Sequence, residues 1–573
     1  MSLPNIDLKG NPFYLTNEEI AWVENTLDSM TEDEKIQQLF FPALFDFSKE
    51  FIDSTLAVLE PSGFMYRPCD IKTAIETTAY LRSKFKVPPL IAANLEKGGN
   101  GIVKEGTMIG SPMAIAATCS EENAHRWGET CAVEAKAVGA NWAFAPIIDI
   151  DYNWRSPITN TRTLGNDPEV VKNYGKAYVE ECQKAGLAAC IKHFPGDGRD
   201  ERDQHLVTTI NDMECEEWME TYGAAYKASI EAGAKTVMVG HIMQPAWQKR
   251  INPELQDNDI MPATLSPELI GKNGLLRGIL GFNGLIATDA TTMNGMLIAM
   301  DRKTAVPYSI ASGADIFLFN RNLEEDVDNM REGVRSGMIT KERLDEAVTR
   351  ILALKASVKA YEDDGYLTEE EAAEIVGNEK HVQWAHEIAD QAITLVKEEP
   401  GVLPLDPKKN RVLLCTLEQD AGFQAKQFAT MGKVGDMLQE LLEKEGFTVS
   451  QYEPAPLFEG QTPRCDSYSN DYDYIIYLAN YSTKSNQTVV RIEWAQPVGG
   501  NVPAYMTSVP TIFISVENPY HLVDVPRVRT YINTYGAGPV SIEELVNKLM
   551  GRSEFKGKSP VDAFCGKWDT HLM

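Results

Sequence analysis

Long apolar runs, a basic leader and paired cysteines are all missing from this sequence. No stretch reaches the roughly 18 apolar residues of a membrane-spanning helix, and the first residues, MSLPNIDLKGNPFYLTNEEIAW, contain neither a basic start nor an apolar signal segment. The nine cysteines include no CxxC pair, and there is no HExxH motif or Cys/His cluster. We therefore expect a cytoplasmic protein with reduced cysteines, no membrane partner, no metal and no other cofactor.

Positive charge is scarce as well. The 573 residues include 54 lysines and arginines against 83 aspartates and glutamates, which gives a net charge of -29 at pH 7. A surface of this sign repels the phosphates of nucleic acids and of anionic lipids, so we expect neither as a partner. Single hydrophobic cores stop growing near roughly 250–300 residues, and this limit predicts two domains in the chain.

Apolar runs alternate with helical stretches over the first part of the chain, which is typical of a parallel β/α fold. The count of eight apolar runs predicts an α/β fold class with a (β/α)8 TIM-like barrel in residues 1–360. The acidic segment 361–380 is predicted to be a linker. Residues 381–573 are predicted to form a smaller α/β sandwich domain, with strands in RVLLCTL, DYIIYLAN, TIFISVE and TYINTYG. The predicted barrel strands begin at Ile36, Gly63, Pro88, Asn141, Leu187, Ala234, Gly284 and Ala314.

Polar residues follow most of these runs at the point where each strand should end. In a barrel, that rim is where catalytic side chains collect, because the strands fix their positions and the loops shape a pocket. Capping of the following helix is the structural alternative for any one of them. The rim residues are Glu96, Asp149, Asp151, Lys192, His193, His241, Asp289 and Asn320.

The most specific segment, KHFPGDGRDERDQH, begins at Lys192 and ends at His205. It resembles the signature KHFPGHGxxxxDSH of the β-N-acetylglucosaminidases of glycoside hydrolase family 3. Further similarity extends over MTEDEKIQQLF, APIIDIDYNWRSPITNTRTLGNDPEVV and PATLSPELIGKNGLLRGILGFNGLIATDATTM. It continues more weakly into ITLVKEEPGVLPL and VENPYHLVDVPRVRTYINTYG. The resemblance therefore covers most of the first predicted domain and parts of the second.

The resemblance implies a retaining glycosidase in which Asp289 is the nucleophile and His205, oriented by Asp203, is the general acid/base. Retention requires a carboxylate that attacks the anomeric carbon and a group that protonates the departing oxygen. Imidazole titrates near neutrality, so it can donate a proton in one step and accept one in the next. The structural alternatives are a helix N-cap for Asp289 and a surface loop histidine for His205.

Sugar-binding residues also follow from the resemblance, because Arg162, Lys192 and His193 match positions that contact the ring hydroxyls and substituents. Buried hydroxyls need such donors if desolvation is not to cancel the binding energy. Pairing with a rim carboxylate such as Asp149 is the alternative for Lys192, and a satisfied core histidine is the alternative for His241.

Three departures from the family pattern matter for the predicted site. The family's Asp-Gln-Glu-Gly-Gly after the third strand appears as Asn94-Leu95-Glu96-Lys97-Gly98-Gly99, so an amide replaces the sugar-binding aspartate. Either Glu96 takes over the hydroxyl contacts, or the outer part of the pocket prefers another sugar. The aspartate before the matching Arg162 is Thr161, and the second histidine of the signature is Asp197. The predicted catalytic set is intact.

The predicted function is hydrolysis of terminal β-linked N-acetylglucosamine from a small carbohydrate substrate. A phosphorylase is the alternative, because a neutral histidine does not repel an incoming phosphate as a carboxylate would. A β-glucosidase of the same family is another. A catalytically silent sugar-binding protein is the non-enzymatic alternative, and the presence of Asp203, His205 and Asp289 argues against it.

Overall fold

The computed structural model describes residues 6–362, 367–418, 434–453, 466–494 and 500–573. The chain divides into two compact units. The first unit consists of Met1–Met108, Ala124–Asn153 and Asp167–Val382. The second consists of Ile109–Asn123, Trp154–Asn166 and Gln383–Met573, so two stretches inside the predicted barrel domain belong to it.

The first unit is built on a sheet of seven parallel strands in chain order, which confirms the predicted barrel architecture. The eighth predicted strand closes it through isolated bridges, in which Ile316 pairs with Ala287 of the seventh strand and Phe317 pairs with Phe40 beside the first. The strands are Ala43–Leu44, Gly63–Tyr66, Leu90–Ala93, Trp142–Ala143, Ala188–Phe194, Thr236–Val239 and Leu285–Thr288.

The start of the first strand differs from the prediction. Ile36 lies in the helix Glu32–Gln38, because Thr31 and Glu34 form a capping box in which the Thr31 hydroxyl accepts the Glu34 backbone N–H and the Glu34 carboxylate accepts the Thr31 backbone N–H. Such a box starts a helix, and the apolar run continues past its end into the strand. The β-strand therefore begins later than the apolar pattern indicated.

The remaining barrel strands match the apolar runs because they are covered on both faces. The fifth strand, Ala188–Phe194, is buried along its whole length, as expected when helices surround a parallel sheet. The α-helices that begin in this unit are Asn17–Ser29, Glu32–Gln38, Lys49–Leu56, Ile71–Lys84, Pro168–Lys184, Cys215–Glu220, Tyr222–Glu231, Pro245–Ile251, Pro267–Ile270, Asn294–Leu297, Arg302–Ser312, Leu323–Arg335, Lys341–Ser357, Glu369–Ile375 and Glu379–Ala392.

The second unit contains a six-stranded sheet with helices on both sides, as predicted for an α/β sandwich. The four predicted strands form its centre. The two that the sequence did not indicate, Thr394–Lys397 and Thr448–Gln451, lie at the two edges, where partial exposure removes the continuous apolar run. The central strands are Arg411–Glu418, Tyr474–Asn480, Thr511–Ser515 and Thr530–Asn533, and the described α-helices that begin in this unit are Pro112–Ala117, Glu121–Ala137, Val434–Lys444, Ser467–Asp471 and Pro539–Leu549.

Alternate residues of the central strands pack into two separate apolar layers of the sandwich. Leu414 and Ile476 lie in one layer, together with residues of the helices Val434–Lys444 and Pro539–Leu549. Cys415 lies in the opposite layer. Among the residues described, no helix combines the length and apolarity that crossing a membrane requires.

Candidate active site

Asp289 directly follows the seventh barrel strand, Leu285–Thr288, at its carboxyl end. Its backbone N–H donates to the Val239 carbonyl at 2.8 Å, and its Oδ1 accepts the Ala290 backbone N–H at 2.7 Å. The side chain is 13% exposed, so one part of the carboxylate is accessible. The next helix, Asn294–Leu297, begins after Met293, so Asp289 is not its N-cap.

The surroundings of Asp289 lower the pKa of its carboxyl group. Burial acts to raise this pKa, but the interactions with the imidazoles of His193, His241 and His205, in that order, and with the Ala290 N–H outweigh burial and lower it below the ordinary value. A carboxylate that stays charged in a buried position suits attack on an electron-poor carbon. The same interactions indicate that three imidazoles lie close to this group.

His193, at the end of the fifth strand, is held by Asp149. The imidazole Nδ1 lies 2.7 Å from Asp149 Oδ2, and the His193 backbone N–H donates to Asp149 Oδ1 at 3.0 Å. A carboxylate only accepts, so Nδ1 carries a hydrogen and Nε2 points away from Asp149. The Nε2 atom lies 3.9 Å from Asp289 Oδ2. Asp149 therefore orients the imidazole that faces the predicted nucleophile.

Lys192, the residue before His193, pairs with Glu96. Its Nζ donates to Glu96 Oε1 at 2.7 Å, and its side chain is 3% exposed. The partner is thus Glu96, not Asp149, and the pair joins the fifth strand to the segment after the third. Asn94 follows the third strand, Leu90–Ala93, and is half-buried. These residues share the rim of the barrel with Asp289.

His205 and Asp203 form a close pair in the loop after the fifth strand. His205 Nδ1 lies 2.6 Å from Asp203 Oδ1, which also accepts the His205 backbone N–H at 2.9 Å. The Asp203 side chain is fully buried, whereas the His205 ring is 24% exposed. The His205 carbonyl accepts the Asn294 backbone N–H at 3.0 Å, which ties this loop to the segment after Asp289. His205 is therefore an anchored side chain with its Nε2 directed away from Asp203.

His241 has hydrogen-bond partners on both ring nitrogens. Its Nε2 lies 3.1 Å from the Ala290 carbonyl, and its Nδ1 lies 3.0 Å from Thr264 Oγ1. Burial lowers the pKa of this imidazole, which favours the neutral ring with a hydrogen on Nε2. These contacts fit a core histidine that supports the backbone beside Asp289.

Arg162 lies in the second unit, whereas the other predicted site residues lie in the first. It ends the short 3-10 helix Asn160–Arg162, and its Nη1 donates to the Ile158 carbonyl at 3.2 Å. The preceding residue, Thr161, donates its hydroxyl to Glu517 Oε2 at 3.4 Å. The hydrogen bond from Arg162 to Ile158 lies within the second unit, and the predicted role of Arg162 in sugar binding stays a prediction.

Arg67 is a rim residue that the sequence pattern did not single out. It follows the second strand, Gly63–Tyr66, and its guanidinium carbon lies 5.2 Å from the ring centroid of the exposed Phe45. Its Nε atom is buried without a hydrogen-bond partner among the residues that the structure describes. Burial lowers its pKa. Its position directly after an apolar run was the signal that would have revealed it.

A parallel barrel with an ionised carboxylate and an Asp–His pair at the carboxyl ends of its strands is an arrangement that supports cleavage of glycosides. The family model described as "Glycosyl hydrolase family 3 N terminal domain" matches residues 32–354. This chain belongs to glycoside hydrolase family 3, as its loop signature indicated.

Two relatives match the chain over nearly its whole length. A Cellulomonas fimi protein named "Beta-N-acetylglucosaminidase/beta-glucosidase" is 50% identical over 568 residues, which cover 99% of this chain and 100% of that protein. The solved structure "Beta-glucoside phosphorylase BglX bound to 2FGlc" is 44% identical with a TM-score of 0.92, and the match covers 98% of this chain and 99% of that chain.

A third comparison concerns the fold alone. The structure of a family 3 β-N-acetylglucosaminidase from Paenibacillus sp. str. FPU-7 has a TM-score of 0.79 at 24% identity, over 94% of this chain and 100% of that chain. The protein is thus an enzyme of glycoside hydrolase family 3 with a TIM-like barrel and an α/β sandwich.

Proposed function

We propose that the enzyme cleaves terminal β-linked N-acetylglucosamine, and more slowly glucose, by a retaining double displacement in which inorganic phosphate accepts the sugar in the second step. The observation that carries the proposal is the placement of Asp289 at the carboxyl end of the seventh strand, in the same unit as the His205–Asp203 pair, in which His205 Nδ1 lies 2.6 Å from Asp203 Oδ1. One group supplies a nucleophile and the other a proton donor, which together are what retention requires.

In the first step, an oxygen of Asp289 attacks the anomeric carbon while the bond from that carbon to the leaving oxygen breaks. His205 starts as imidazolium, with Nδ1–H bound to Asp203, and transfers the Nε2 proton to the leaving oxygen. Asp203 stabilises the cation before transfer and fixes the ring orientation, as in other Asp–His pairs. The products of this step are the free alcohol, a glycosyl-enzyme ester on Asp289 and a neutral His205.

In the second step, an oxygen of hydrogen phosphate attacks the anomeric carbon and releases the carboxylate of Asp289. The proton carried by the phosphate passes to His205 Nε2, which restores the imidazolium for the next cycle. Hydrogen phosphate carries its own nucleophilic oxygen, so it needs less help from a base than water does. A neutral imidazole does not repel this anion, whereas a carboxylate at the same position would. The 44% identical structure that is named a β-glucoside phosphorylase supports the choice of phosphate over water.

The acceptor is tested by product analysis with and without phosphate. We expect inorganic phosphate to raise the turnover of a β-N-acetylglucosaminide at least about tenfold, a difference of about 1.4 kcal/mol in the barrier to the second step. The ³¹P NMR spectrum should show a sugar 1-phosphate with the anomeric configuration of the substrate retained. Sulfate at equal ionic strength is the control. If the rate and the products are the same in phosphate and in sulfate, water is the acceptor and the enzyme is a hydrolase.

The sugar preference is tested with 4-nitrophenyl β-glycosides that differ only at the 2-position. We expect kcat/KM for the 2-acetamido substrate to exceed that for the 2-hydroxy substrate by about tenfold, because one or two polar contacts contribute roughly 1.4 kcal/mol. Lys192 and His193 are the proposed donors, and Arg67 is a further one. The Cellulomonas fimi relative is named for both activities, so measurable glucosidase turnover is consistent with the proposal. Equal or faster turnover of the glucoside would contradict it.

A further inference from the structure

Gln204 stands between the two members of the Asp–His pair, and its own side chain is buried. Its amide Nε2 donates to Asp197 Oδ2 at 3.2 Å, and its Oε1 accepts the His241 backbone N–H at 2.8 Å. Its carbonyl accepts the Gly295 backbone N–H at 3.2 Å. One residue of the loop is thus tied at three points to other parts of the barrel rim.

Asp197, which accepts the Gln204 amide, is linked through Asp149 to His193, whose ring faces the proposed nucleophile Asp289. The Asp197 backbone N–H donates to Asp149 Oδ1 at 2.8 Å, and Asp149 in turn holds the His193 ring. The Asp197 carbonyl accepts the Tyr222 hydroxyl at 2.7 Å, and its carboxylate accepts the Gly198 backbone N–H at 2.8 Å. Asp197 is therefore a fixed acceptor for the Gln204 amide.

The amide oxygen of Gln204 is linked through His241 to Ala290, the residue that follows the proposed nucleophile Asp289. His241 lies at the end of the sixth strand, and its Nε2 contacts the carbonyl of Ala290, the residue directly after Asp289. The amide of Gln204 therefore joins Asp197, in the same loop, to the backbone of His241 after the sixth strand. Such a connection sets the distance between the loop and the strand ends.

We propose that Gln204, together with Asp197, is a positioning residue that fixes the His205 ring relative to Asp289. The inference rests on the proposed acid/base role of His205. Proton transfer to a leaving oxygen depends on geometry, and a misplacement of about 1 Å can cost about a hundredfold in rate. Because both side chains are buried, loss of the hydrogen bond leaves polar atoms that water does not readily satisfy.

The test is a cycle of isosteric variants, Gln204→Glu, Asp197→Asn and the two combined. Gln204→Glu removes the amide donor and places a carboxyl group opposite the carboxyl group of Asp197. Asp197→Asn places an amide opposite the amide of Gln204. In the double variant, the new amide at position 197 donates to one oxygen of the new carboxylate at position 204, while the other oxygen still accepts the His241 backbone N–H. The hydrogen bond is then restored in the reverse direction, with the side-chain volumes unchanged.

Two substrates separate positioning from general damage. On a disaccharide, whose sugar leaving group needs a proton, each single variant should lower kcat by about tenfold to a hundredfold with KM changed less than about threefold. On a 2,4-dinitrophenyl glycoside, which leaves without a proton, the loss should stay below about threefold. The double variant should recover most of the disaccharide activity.

Gln248→Glu is the matched control. Gln248 is an equally buried amide of the first unit, but its Nε2 donates to the Met261 carbonyl and to Ser266 Oγ, both at 3.0 Å. It should lower the melting temperature without changing the ratio of the two substrates. Equal losses on both substrates in the single variants, or no recovery in the double variant, would overturn the inference. If His205→Ala itself shows no dependence on the leaving group, the proposed function fails together with it.

Discussion

Replacing Asp289 with alanine should lower kcat/KM by about 10⁴-fold or more on every β-glycoside, because no covalent intermediate can form without the carboxylate. The loss should not depend on the leaving group, since the attacking atom is missing whichever bond breaks. Asp289→Asn, which keeps the shape and removes the charge, should be similarly inactive. Steady-state rates on an aryl glycoside and on a disaccharide measure both variants.

The fold should survive these substitutions. Asp289 is 13% exposed and its own backbone N–H bonds to Val239, which neither variant removes. Removal of the charge takes away a favourable interaction with neighbouring imidazoles, so we expect only a modest change in melting temperature. Circular dichroism of the variants checks that inactivity does not arise from unfolding.

Covalent labelling identifies the nucleophile independently. A 2-fluoro or 5-fluoro glycoside with a good leaving group should form a stable ester on Asp289, which peptide mass spectrometry of the digested protein detects. The structure offers Glu96 and Asp149 as the competing carboxylates, but Glu96 pairs with Lys192 and Asp149 binds His193. A label on either of these two residues would overturn the assignment of Asp289.

The barrel was predictable because a parallel strand buried on both faces needs an uninterrupted apolar run. The edge strands of the second unit were not predictable in the same way, since Thr448–Gln451 is largely exposed and reads as polar. The first barrel strand was placed too early, because a capping box at Thr31 converts the start of its apolar run into helix. Local hydrogen bonds thus determined the secondary structure where the hydrophobic pattern alone fitted both a helix and a strand.

The sequence indicated candidate residues at the strand ends, whose catalytic and binding roles stay predictions, but it did not indicate their contacts. Strand ends and a 14-residue signature indicated Asp289, Lys192, His193 and the Asp–His pair. The partner of Lys192 was not predictable, because Glu96 is separated from it by 96 positions in sequence. Nor was the role of Gln204, whose amide acts through two contacts that only the folded barrel brings together.

The departure at the third strand keeps the glutamate of the family segment as Glu96. Glu96 is partly buried and pairs with Lys192, whose Nζ lies 2.7 Å from Glu96 Oε1. Within this ion pair, the Lys192 ammonium can donate further hydrogen bonds and the Glu96 carboxylate can accept further ones. The departure does not involve the proposed catalytic residues Asp289, His205 and Asp203, and its effect on sugar choice stays a prediction.

His205→Ala should separate substrates by the proton demand of their leaving groups. On a disaccharide, loss of the general acid should lower kcat/KM by about 10²- to 10⁴-fold, because a sugar alcohol departs only when protonated. On a 2,4-dinitrophenyl glycoside the loss should be under about tenfold, because this leaving group needs little protonation. The asymmetry between the two substrates measures the acid role directly.

Asp203→Ala should give a milder form of the same asymmetry. The imidazole keeps its exchangeable proton but loses the buried carboxylate that lies 2.6 Å from Nδ1, which orients the ring and stabilises its charged form. In phosphate-free buffer, where water is the remaining acceptor, azide should partly restore the turnover of His205→Ala on activated substrates, since a small anionic nucleophile resolves the glycosyl-enzyme without base assistance. The product should be a glycosyl azide of retained configuration.

Equal losses on both substrates, with no effect of azide, would place the proton donor elsewhere. Asp197 and Glu201 are the carboxyl groups of the same loop to examine next. Asp197 is buried, and burial together with the charge of Asp149 raises its pKa, so it carries a proton more readily than an ordinary aspartate. It is nevertheless bound to the Gly198 N–H and to the Gln204 amide, whereas Glu201 is exposed on the loop. The Glu201→Gln variant, assayed on the same two substrates, would therefore show the leaving-group asymmetry that His205→Ala had failed to show.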